Sequence, residues 1–514
     1  MSAYPKILVI GFDGAEQSLM LSWANSGWLP TVRHLLDAGA ACQTQGPLGM
    51  HAASLWQTFF TAVSPARHGR HGDRQVRVGT YATYRFWPAD LKHEAFWNVL
   101  SRAGRRVTVI DVPYVALSAN LNGIHVVDWT THAADNGFAT WPPPLAQQLR
   151  QDFGIDPFGL CDHGRLQTAD ELTAFQDALV ARIGMKVAAS RHLLRQEPWD
   201  LFMTVFGESH CVGHQCWHLH DASHPHHDPA IVGAIGDPLR TVYRALDDAI
   251  AQLLDAAGSD TTVMIMCSHG MGPNYTGAHL LGEILARLGH RPPPPQEGWP
   301  WRVARWGWRQ LPLPLRTRLI PFQKAAVDAV WPALDSASTC FDVPNGEVYG
   351  AIRVNLVGRE PQGKIRRGEE YAAFCDALTN DLCALINADT GNPAVRRVLR
   401  TADLYTGPYL DELPDLLVEW VGDAPLNAVH SAKVGTIRST GPGPRSGHHK
   451  PQGLFLAAGP GIRPQRLETP VSVMDIGPTI AAILAVELPD VDGRPIDACM
   501  PVEGRRSVVG PSGD

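Results

Sequence analysis

The sequence predicts an α/β protein with a doubly wound, mostly parallel central sheet that is flanked by helices and carries inserted cap segments. Three observations lead to this prediction. Short apolar, β-branched runs recur along the chain, they do not alternate with polar residues, and longer helical patterns separate them. Runs without alternation are typical of strands buried on both faces, and strands that alternate with helices are typical of parallel sheets. The 514 residues, 45% of them apolar, can bury a large core.

Six runs carry the strand pattern. In chain order they are 6–12 (KILVIGF), 105–112 (RRVTVIDV), 199–206 (WDLFMTVF), 261–268 (TTVMIMCS), 414–421 (PDLLVEWV) and 453–459 (GLFLAAG). Each has the length of a strand and is rich in residues that strands prefer. We therefore predict that these runs form a parallel sheet.

In the segments between these runs, apolar residues recur at helical spacing. This spacing predicts helices over 29–40 and 239–258, the second ending at Gly258, a residue type that terminates helices. The rhythm breaks at 116–198 and at the proline- and tryptophan-rich segment 284–345. The arginine and aromatic residues of 284–345 fit either a partly packed subdomain or a membrane-facing or oligomer-forming surface. The resulting division assigns 1–115, 199–283 and 346–504 to the α/β core, and 116–198 and 284–345 to inserted cap segments.

Composition excludes several classes of protein. A net charge of −7 gives no basic surface, so we expect no nucleic acid polymer as a partner. Nine cysteines without a C-x-x-C pair indicate neither a cysteine zinc site nor a small disulfide framework. The first apolar run is too short for a signal peptide, and no stretch reaches the ~18 to 20 apolar residues of a membrane span. We therefore expect a cytoplasmic protein with reduced thiols and no transmembrane segment.

Residue types that bind metals stand next to the predicted strands. They are Asp13 after 6–12, then Glu208, His210 and His214 after 199–206, His269 after 261–268, and His449 just before 453–459. In open α/β sheets the ligand site lies beyond the carboxyl ends of the strands, so these side chains are expected to converge. His210 and His214 are four residues apart, which puts both imidazoles on one face of a helix. Imidazole with carboxylate is the ligand set of zinc and other first-row metals.

These residues and their surroundings resemble the alkaline phosphatase superfamily, and within it the type I phosphodiesterase/nucleotide pyrophosphatase branch. The matching segments are KILVIGFDG (6–14), WQTFFTAVSPARHG (56–69), VMIMCSHGMGP (263–273), IRVNLVGREPQG (352–363), GHHKPQGLFLAAGPGI (447–462), VSVMDIGPTIAAIL (471–484) and DVDGRPI (490–496). The resemblance covers both ends of the chain and most predicted strands. It implies an alkaline-phosphatase-like fold and a metal-dependent hydrolase that acts on phosphate ester bonds.

The resemblance also implies which residues hold metal. The first metal would be held by His214, His449 and an acidic partner, for which the family position is His210 here and Glu208 stands two residues earlier. The second metal would be held by Asp13 and His269. The metal we expect is zinc, as one or two ions, with manganese or iron as the alternatives.

The sequence departs from the family pattern at the nucleophile and at one metal ligand. Members place a threonine or serine four residues before the tryptophan of the second segment, and that position is Ala52 here. His51 and Ser54 are the nearest reactive side chains. The aspartate that usually precedes His269 is Ser268. The second metal therefore loses a carboxylate and the nucleophile oxygen together.

These departures predict an atypical mechanism. A metal-bound hydroxide would attack directly, since zinc lowers the pKa of bound water to about 7. The candidates for its general base are Glu208, His51, His210 and His218. Ser54 is the alternative nucleophile.

Three functions remain open. The leading one is a phosphoester or phosphodiester hydrolase that acts on a small phosphate-containing substrate. The others are a catalytically altered member that binds a phosphorylated ligand, and a group-transfer enzyme of specialised metabolism. A standard sulfatase is excluded, because residues 42–56 lack the C/S-x-P-x-R motif that generates the formylglycine nucleophile. A homo-oligomer is compatible with each of them.

Overall fold

The computed structural model describes residues 5–500. The gaps are at 51, 132–136, 158–165, 167, 197, 294–306, 309–310, 312–314, 316–318, 320–332, 347, 440 and 442. The predicted catalytic candidate His51 and most of segment 284–345 therefore lie outside the described residues. No helix among the described residues is long and apolar enough to cross a membrane.

The described strands, numbered in chain order, are β1 (Lys6–Phe12), β2 (Ala40–Gln45), β3 (Arg74–Val76), β4 (Thr83–Arg85), β5 (Val107–Ile110), β6 (Gly123–Val127), β7 (Ala139–Trp141), β8 (Leu201–Phe206), β9 (Thr261–Cys267), β10 (Gly270–Pro273), β11 (Cys340–Asp342), β12 (Tyr349–Val354), β13 (Ile386–Asn387), β14 (Val395–Arg400), β15 (Leu416–Trp420), β16 (Ala428–Ser431), β17 (Gly435–Arg438), β18 (Gly447–Lys450), β19 (Gln452–Ala458), β20 (Gln465–Arg466) and β21 (Val471–Ser472).

The described α-helices are α1 (Gln17–Asn25), α2 (Pro30–Ala38), α3 (Ala52–Thr61), α4 (Pro65–His68), α5 (Phe96–Arg102), α6 (Leu145–Asp152), α7 (Ala169–Gln196), α8 (Glu208–His220), α9 (Pro229–Ile235), α10 (Pro238–Ala257), α11 (Leu281–Arg287), α12 (Glu369–Cys383), α13 (Thr401–Leu404) and α14 (Ile476–Ile483). The predicted helices over 29–40 and 239–258 are confirmed as α2 and α10, and Gly258 ends α10 with φ 89°.

A ten-stranded, mostly parallel sheet forms the centre of the molecule. Its order is β20-β2-β19-β9-β1-β8-β5-β6-β7, with β21 beside β2. β1 runs parallel to both β8 and β9, and β5 runs parallel to both β8 and β6. Four of the predicted strands thus lie in parallel next to one another, and the predicted α/β fold class is confirmed.

Both faces of this sheet are buried, as the unalternated runs predict. Side chains along β1 point alternately to its two faces. Leu8 and Ile10 belong to the apolar cluster on one face, while Ile7 and Val9 belong to the cluster on the other. All four side chains are buried. Because helices cover both faces, polar side chains can converge beyond the ends of the strands.

Two predicted strands differ from the expected parallel arrangement. The run at 453–459 forms β19, which lies in the central sheet but runs antiparallel to β9 and β2. The run at 414–421 forms β15, which belongs to a separate antiparallel sheet of order β11-β12-β15-β14. An unalternated apolar run records burial on both faces, but it carries no information about strand direction or partner.

Part of segment 116–198, which we expected to be an insertion, contributes to the central sheet. β6 pairs with β5, β7 pairs with β6, and α7 packs against α10. α7 buries Leu172, Phe175 and Leu179, so it covers the sheet rather than standing apart from it. The division into core and cap segments otherwise remains a prediction.

Candidate metal centre

Helix α8 begins directly after β8 and carries two histidines one turn apart. The Nε2 atoms of His210 and His214 are 3.2 Å apart. His214 Nδ1 lies 2.7 Å from the carbonyl oxygen of Gly447. A carbonyl only accepts hydrogen bonds, so Nδ1 is the protonated nitrogen of His214 and its Nε2 lone pair faces His210. This is the arrangement in which a metal-binding histidine is commonly held.

A two-stranded ribbon brings the third histidine to the helix. β10 pairs with β18, and this pairing places His449 opposite Met271. His449 Nε2 then lies 3.0 Å from His214 Nε2. Gly447 permits this approach, because a Cβ at that position would collide with the backbone carbonyl of Gly213 on α8.

His210, His214 and His449 form a buried imidazole triad. Their ligand atoms lie within 4.8 Å of one another, and no other group of three metal-binding residues is found in the part of the chain that the structure describes. Burial, followed by the charges of the neighbouring histidines, holds the pKa of His449 well below its usual range. Zinc–nitrogen bonds of ~2.0–2.1 Å in tetrahedral geometry separate nitrogens by about 3.3 Å. The observed Nε2 separations therefore fit a divalent metal held by three neutral imidazoles.

Asp13, Ser268 and His269 lie beside the triad. The Asp13 Oδ1 atom accepts hydrogen bonds from Trp56 Nε1 at 3.0 Å and from Ser268 Oγ at 3.3 Å. Ser268 Oγ is 2.9 Å from His269 Nδ1, which itself is 3.7 Å from Asp13 Oδ1. Burial raises the pKa of Asp13 to about 7, although the hydrogen bonds from Trp56 and Ser268 oppose that shift.

His269 connects this group with the triad. Its ring centroid is 4.4 Å from that of His449 and 6.4 Å from that of His210. The loop after β1 packs against both His210 and His269. A Cβ at Gly14 would lie 3.1 Å from the His210 Cα atom and 3.4 Å from His269 Nε2. Gly14 has φ +64°, which a glycine adopts without strain. The structure therefore gathers Asp13, His269 and the triad at the carboxyl edge of the sheet.

Glu208 is not part of the triad. Its side chain is fully buried, and its Oε1 atom is 2.6 Å from Arg182 Nε on helix α7. Arg182 is also fully buried, and its Nη1 atom is 3.6 Å from a carboxylate oxygen of Asp156. The structure thus places Glu208 in an interhelical ion pair at the start of α8.

The other predicted catalytic side chains have structural partners. The buried Ser54 Oγ donates to the backbone carbonyl of Arg70 at 2.7 Å. His218 Nδ1 lies 3.0 Å from Ser446 Oγ. Helix α3, which carries Ser54, begins at Ala52.

Sequence reasoning missed several residues that build the site. Trp56 was visible only as part of a motif, and its hydrogen bond to Asp13 had no separate signal. Gly447 precedes His448 and His449 in the sequence, but nothing in the sequence indicates that it contacts α8. Arg182 gave no signal, because a single arginine within a long helical pattern usually faces solvent.

The chain matches a known family in sequence and solved structures in fold. Residues 7–353 match the family model for type I phosphodiesterase/nucleotide pyrophosphatase. The structure of phosphonoacetate hydrolase from Sinorhizobium meliloti 1021 with phosphonoacetate has a TM-score of 0.55 at 14% identity, over 93% of this chain and 96% of that one. The alkaline phosphatase PafA has a TM-score of 0.53 at 13% identity, over 97% of this chain and 99% of that one. At these identities the likeness shows a shared fold alone. No curated protein matches the chain in sequence.

Proposed function

The chain belongs to the type I phosphodiesterase/nucleotide pyrophosphatase family, and from this premise we propose that it hydrolyses a small phosphate ester or phosphodiester at a single-metal centre. The observation that carries the proposal is the convergence of three imidazole Nε2 atoms from His210, His214 and His449. The metal we propose is zinc, because three neutral nitrogen donors suit it better than magnesium or calcium. Manganese or iron is the alternative.

The three histidines would hold the metal, and the neighbouring residues would manage protons. A divalent cation supplies Lewis acidity toward a phosphoryl oxygen and lowers the pKa of water that it binds. Ser268 Oγ donates to Asp13 and therefore accepts the Nδ1–H of His269, which leaves His269 Nε2 able to accept a proton. We propose that His269 takes the proton of the attacking water and that Asp13 orients it through Ser268.

Water is the proposed nucleophile because position 52 offers none. A member with threonine or serine there would form a covalent phosphoenzyme, whereas alanine cannot. Ser54 is held by the Arg70 carbonyl in the fully buried interior. The proposed reaction is therefore a direct displacement, and no labelled enzyme intermediate is expected to accumulate.

Members of the family and the two similar structures support a phosphorus-containing substrate. The family description names phosphodiesters and nucleotide pyrophosphates, and the similar hydrolase binds phosphonoacetate. We propose the same broad class here, a small molecule with a scissile bond at phosphorus. We propose no nucleic acid polymer as a partner.

The test combines metal analysis with a substrate panel. Purified protein is assayed on a phosphomonoester, a phosphodiester and a sulfate ester, with and without added zinc. The proposal predicts turnover of a phosphate ester that rises with metal content up to one equivalent. Protein that holds metal but turns over no ester would contradict hydrolysis, and it would favour ligand binding or group transfer.

A further inference from the structure

Arg70 is a fully buried guanidinium with incomplete hydrogen bonding. Its Nη2 atom is 3.0 Å from Asp73 Oδ1. Its Nε and Nη1 atoms are buried and have no hydrogen-bond partner among the described residues. Those two nitrogens carry three N–H donors, and buried donors of this kind are nearly always paired. The incomplete set indicates that an acceptor which is not part of the described chain belongs here.

The backbone around Arg70 is fixed against the first turns of α3. The Arg70 carbonyl accepts the hydroxyl of Ser54 at 2.7 Å, and the Arg70 N–H donates to His68 Nδ1 at 3.2 Å. His68 Nε2 is in turn 3.0 Å from Thr58 Oγ1, so a second bond joins this segment to α3. These bonds anchor the Arg70 backbone to α3, the helix that begins at the family's nucleophile position. A residue held in this way is preorganised for binding.

Two aromatic rings lie against the guanidinium. The Arg70 Cζ atom lies 5.2 Å from the ring centroid of Phe86 and 5.0 Å from that of Tyr114. Stacking on aromatic faces satisfies the faces of a guanidinium, but its N–H groups lie in the plane and need acceptors there. Oxyanions such as phosphate and carboxylate are the acceptors that suit this planar group best.

Tyr114, which contacts the Arg70 guanidinium, belongs to the loop after β5. It follows the carboxyl end of β5, is only partly buried, and has φ +59°. A positive φ is a strained conformation for an aromatic residue, and such residues cluster at ligand clamps. In the order β1-β8-β5, the loop after β5 is two strands from Asp13, which corresponds to about 10 Å. The loop that carries Tyr114 therefore lies at the same end of the strands as Asp13.

We propose that Arg70 binds a second anionic group of the substrate, a carboxylate or a further phosphate attached beside the scissile phosphorus bond. Tyr114 swings aside to admit it. The inference rests on the proposed function for the role of that group in catalysis, but the binding itself needs neither metal nor turnover. On this inference, the enzyme prefers substrates with two anionic groups over diesters whose substituents are uncharged.

The test is anion binding to metal-free protein, measured by calorimetry. The probes are inorganic pyrophosphate and phosphonoacetate, which present a phosphate and a carboxylate as the second anionic group. We expect Arg70→Met to weaken binding of at least one probe by about 10- to 100-fold, the usual effect of losing a hydrogen bond to a charged group. Arg70→Lys keeps the charge but not the planar donors. Its affinity should therefore lie between those of wild type and Arg70→Met. The probe that responds more strongly identifies the chemistry of the second group.

Arg67→Met is the matched control. Arg67 lies on the same segment, and its guanidinium is paired with Asp490 and Asp492. Equal affinity in wild-type, Arg70→Met and Arg70→Lys protein, or an equal loss in Arg67→Met, would overturn the proposal. If Arg70→Met does not fold, the comparison of Arg70→Lys with wild type decides.

A kinetic measurement separates this inference from the proposed function. On a substrate with a second anionic group, Arg70→Lys should raise KM with little change in kcat. On bis(p-nitrophenyl) phosphate, which lacks that group, the rise in KM should be much smaller. A protein that binds the anions through Arg70 yet hydrolyses nothing would leave this inference standing and contradict only the hydrolytic function.

Discussion

At position 210 an imidazole stands where the family pattern has a carboxylate, and this one residue changes the charge of the centre. Imidazole ligands from His210, His214 and His449 bring no negative charge, so a divalent cation bound there would keep its full charge. The triad's Nε2 separations of 3.0 and 3.2 Å suit a small tetrahedral ion. The loss of carboxylates at 210 and 268 thus favours one nitrogen-bound metal over a two-metal site.

Substitution of two histidines separates metal binding from proton transfer. His214→Gln should lose both bound metal and activity, because Nε2 of His214 is at the centre of the triad. His269→Gln should keep about one equivalent of metal yet lose kcat by about 10²- to 10⁴-fold, the usual contribution of a general base. Metal content and steady-state kinetics on the same preparations check this. Equal loss of metal in both variants would show that His269 is a ligand.

Ser54→Ala tests the displaced nucleophile. The Ser54 hydroxyl donates to the Arg70 carbonyl in the protein interior, so its removal should lower the free energy of unfolding by about 1–2 kcal/mol. The kcat should change little. Urea unfolding and kcat measurements check both expectations. A variant as inactive as His214→Gln, with phosphate label trapped on Ser54 in the wild type, would refute attack by water.

Among the elements, α7 and α8 are joined by the buried pair of Arg182 and Glu208. Removing one partner of such a pair leaves a buried charge and costs about 3–5 kcal/mol. Glu208→Gln should therefore be markedly destabilised, and the double variant Arg182→Met/Glu208→Gln should recover part of that loss. Both should hold metal and keep their kcat under conditions where they are folded. Denaturant unfolding and kcat measurements decide. A Glu208→Gln protein of wild-type stability without activity would make Glu208 catalytic instead.

The sequence predicted the elements of the sheet better than their partners. β1 was predicted with its observed bounds, because the apolar run that follows Lys6 is buried along its whole length. The direction of β19 and the separate sheet of β15 were not predictable, because antiparallel pairing depends on contacts distant in the chain. Asp13, His214 and His449 were recognisable because strand ends converge. Arg182 and Arg70 were not, because burial of a single arginine leaves no local pattern.

For the molecule as a whole, buried neutral histidines make stability depend on pH. Burial lowers the pKa of both His68 and His125 from 6.5 to about 3. The folded state then binds fewer protons than the unfolded chain below pH 6.5, so stability is complete above that value and falls as the pH decreases toward about 3. Each histidine should cost about 2 kcal/mol between pH 7 and pH 5.

His125→Asn isolates one of these contributions. His125 Nδ1 accepts the backbone N–H of Ser118 at 2.9 Å, and an asparagine side chain can keep that bond. The variant should lose about 2 kcal/mol less than wild type between pH 7 and pH 5 in urea unfolding. His34→Asn, at an exposed histidine, is the control and should follow wild type. Identical pH slopes for all three proteins would show that His125 takes up a proton in the folded state.

The sheet unites these features, because it brings loops from distant parts of the chain to one edge. The loop after β1 supplies Asp13, the helix after β8 supplies His210 and His214, and the ribbon of β10 and β18 supplies His449. The carboxyl end of β5 extends the same edge toward Arg70. We propose that this edge holds one metal ion through three imidazoles.

X-ray absorption at the zinc edge, together with metal quantification, shows how many zinc ions bind and which atoms hold them. Protein loaded with zinc and freed of excess metal should contain about one equivalent, with three imidazole nitrogens at ~2.0–2.1 Å in the first shell. His449→Gln should lose the ion. Two equivalents of tightly bound zinc, or a first shell without imidazole nitrogen, would contradict a single metal held by three imidazoles.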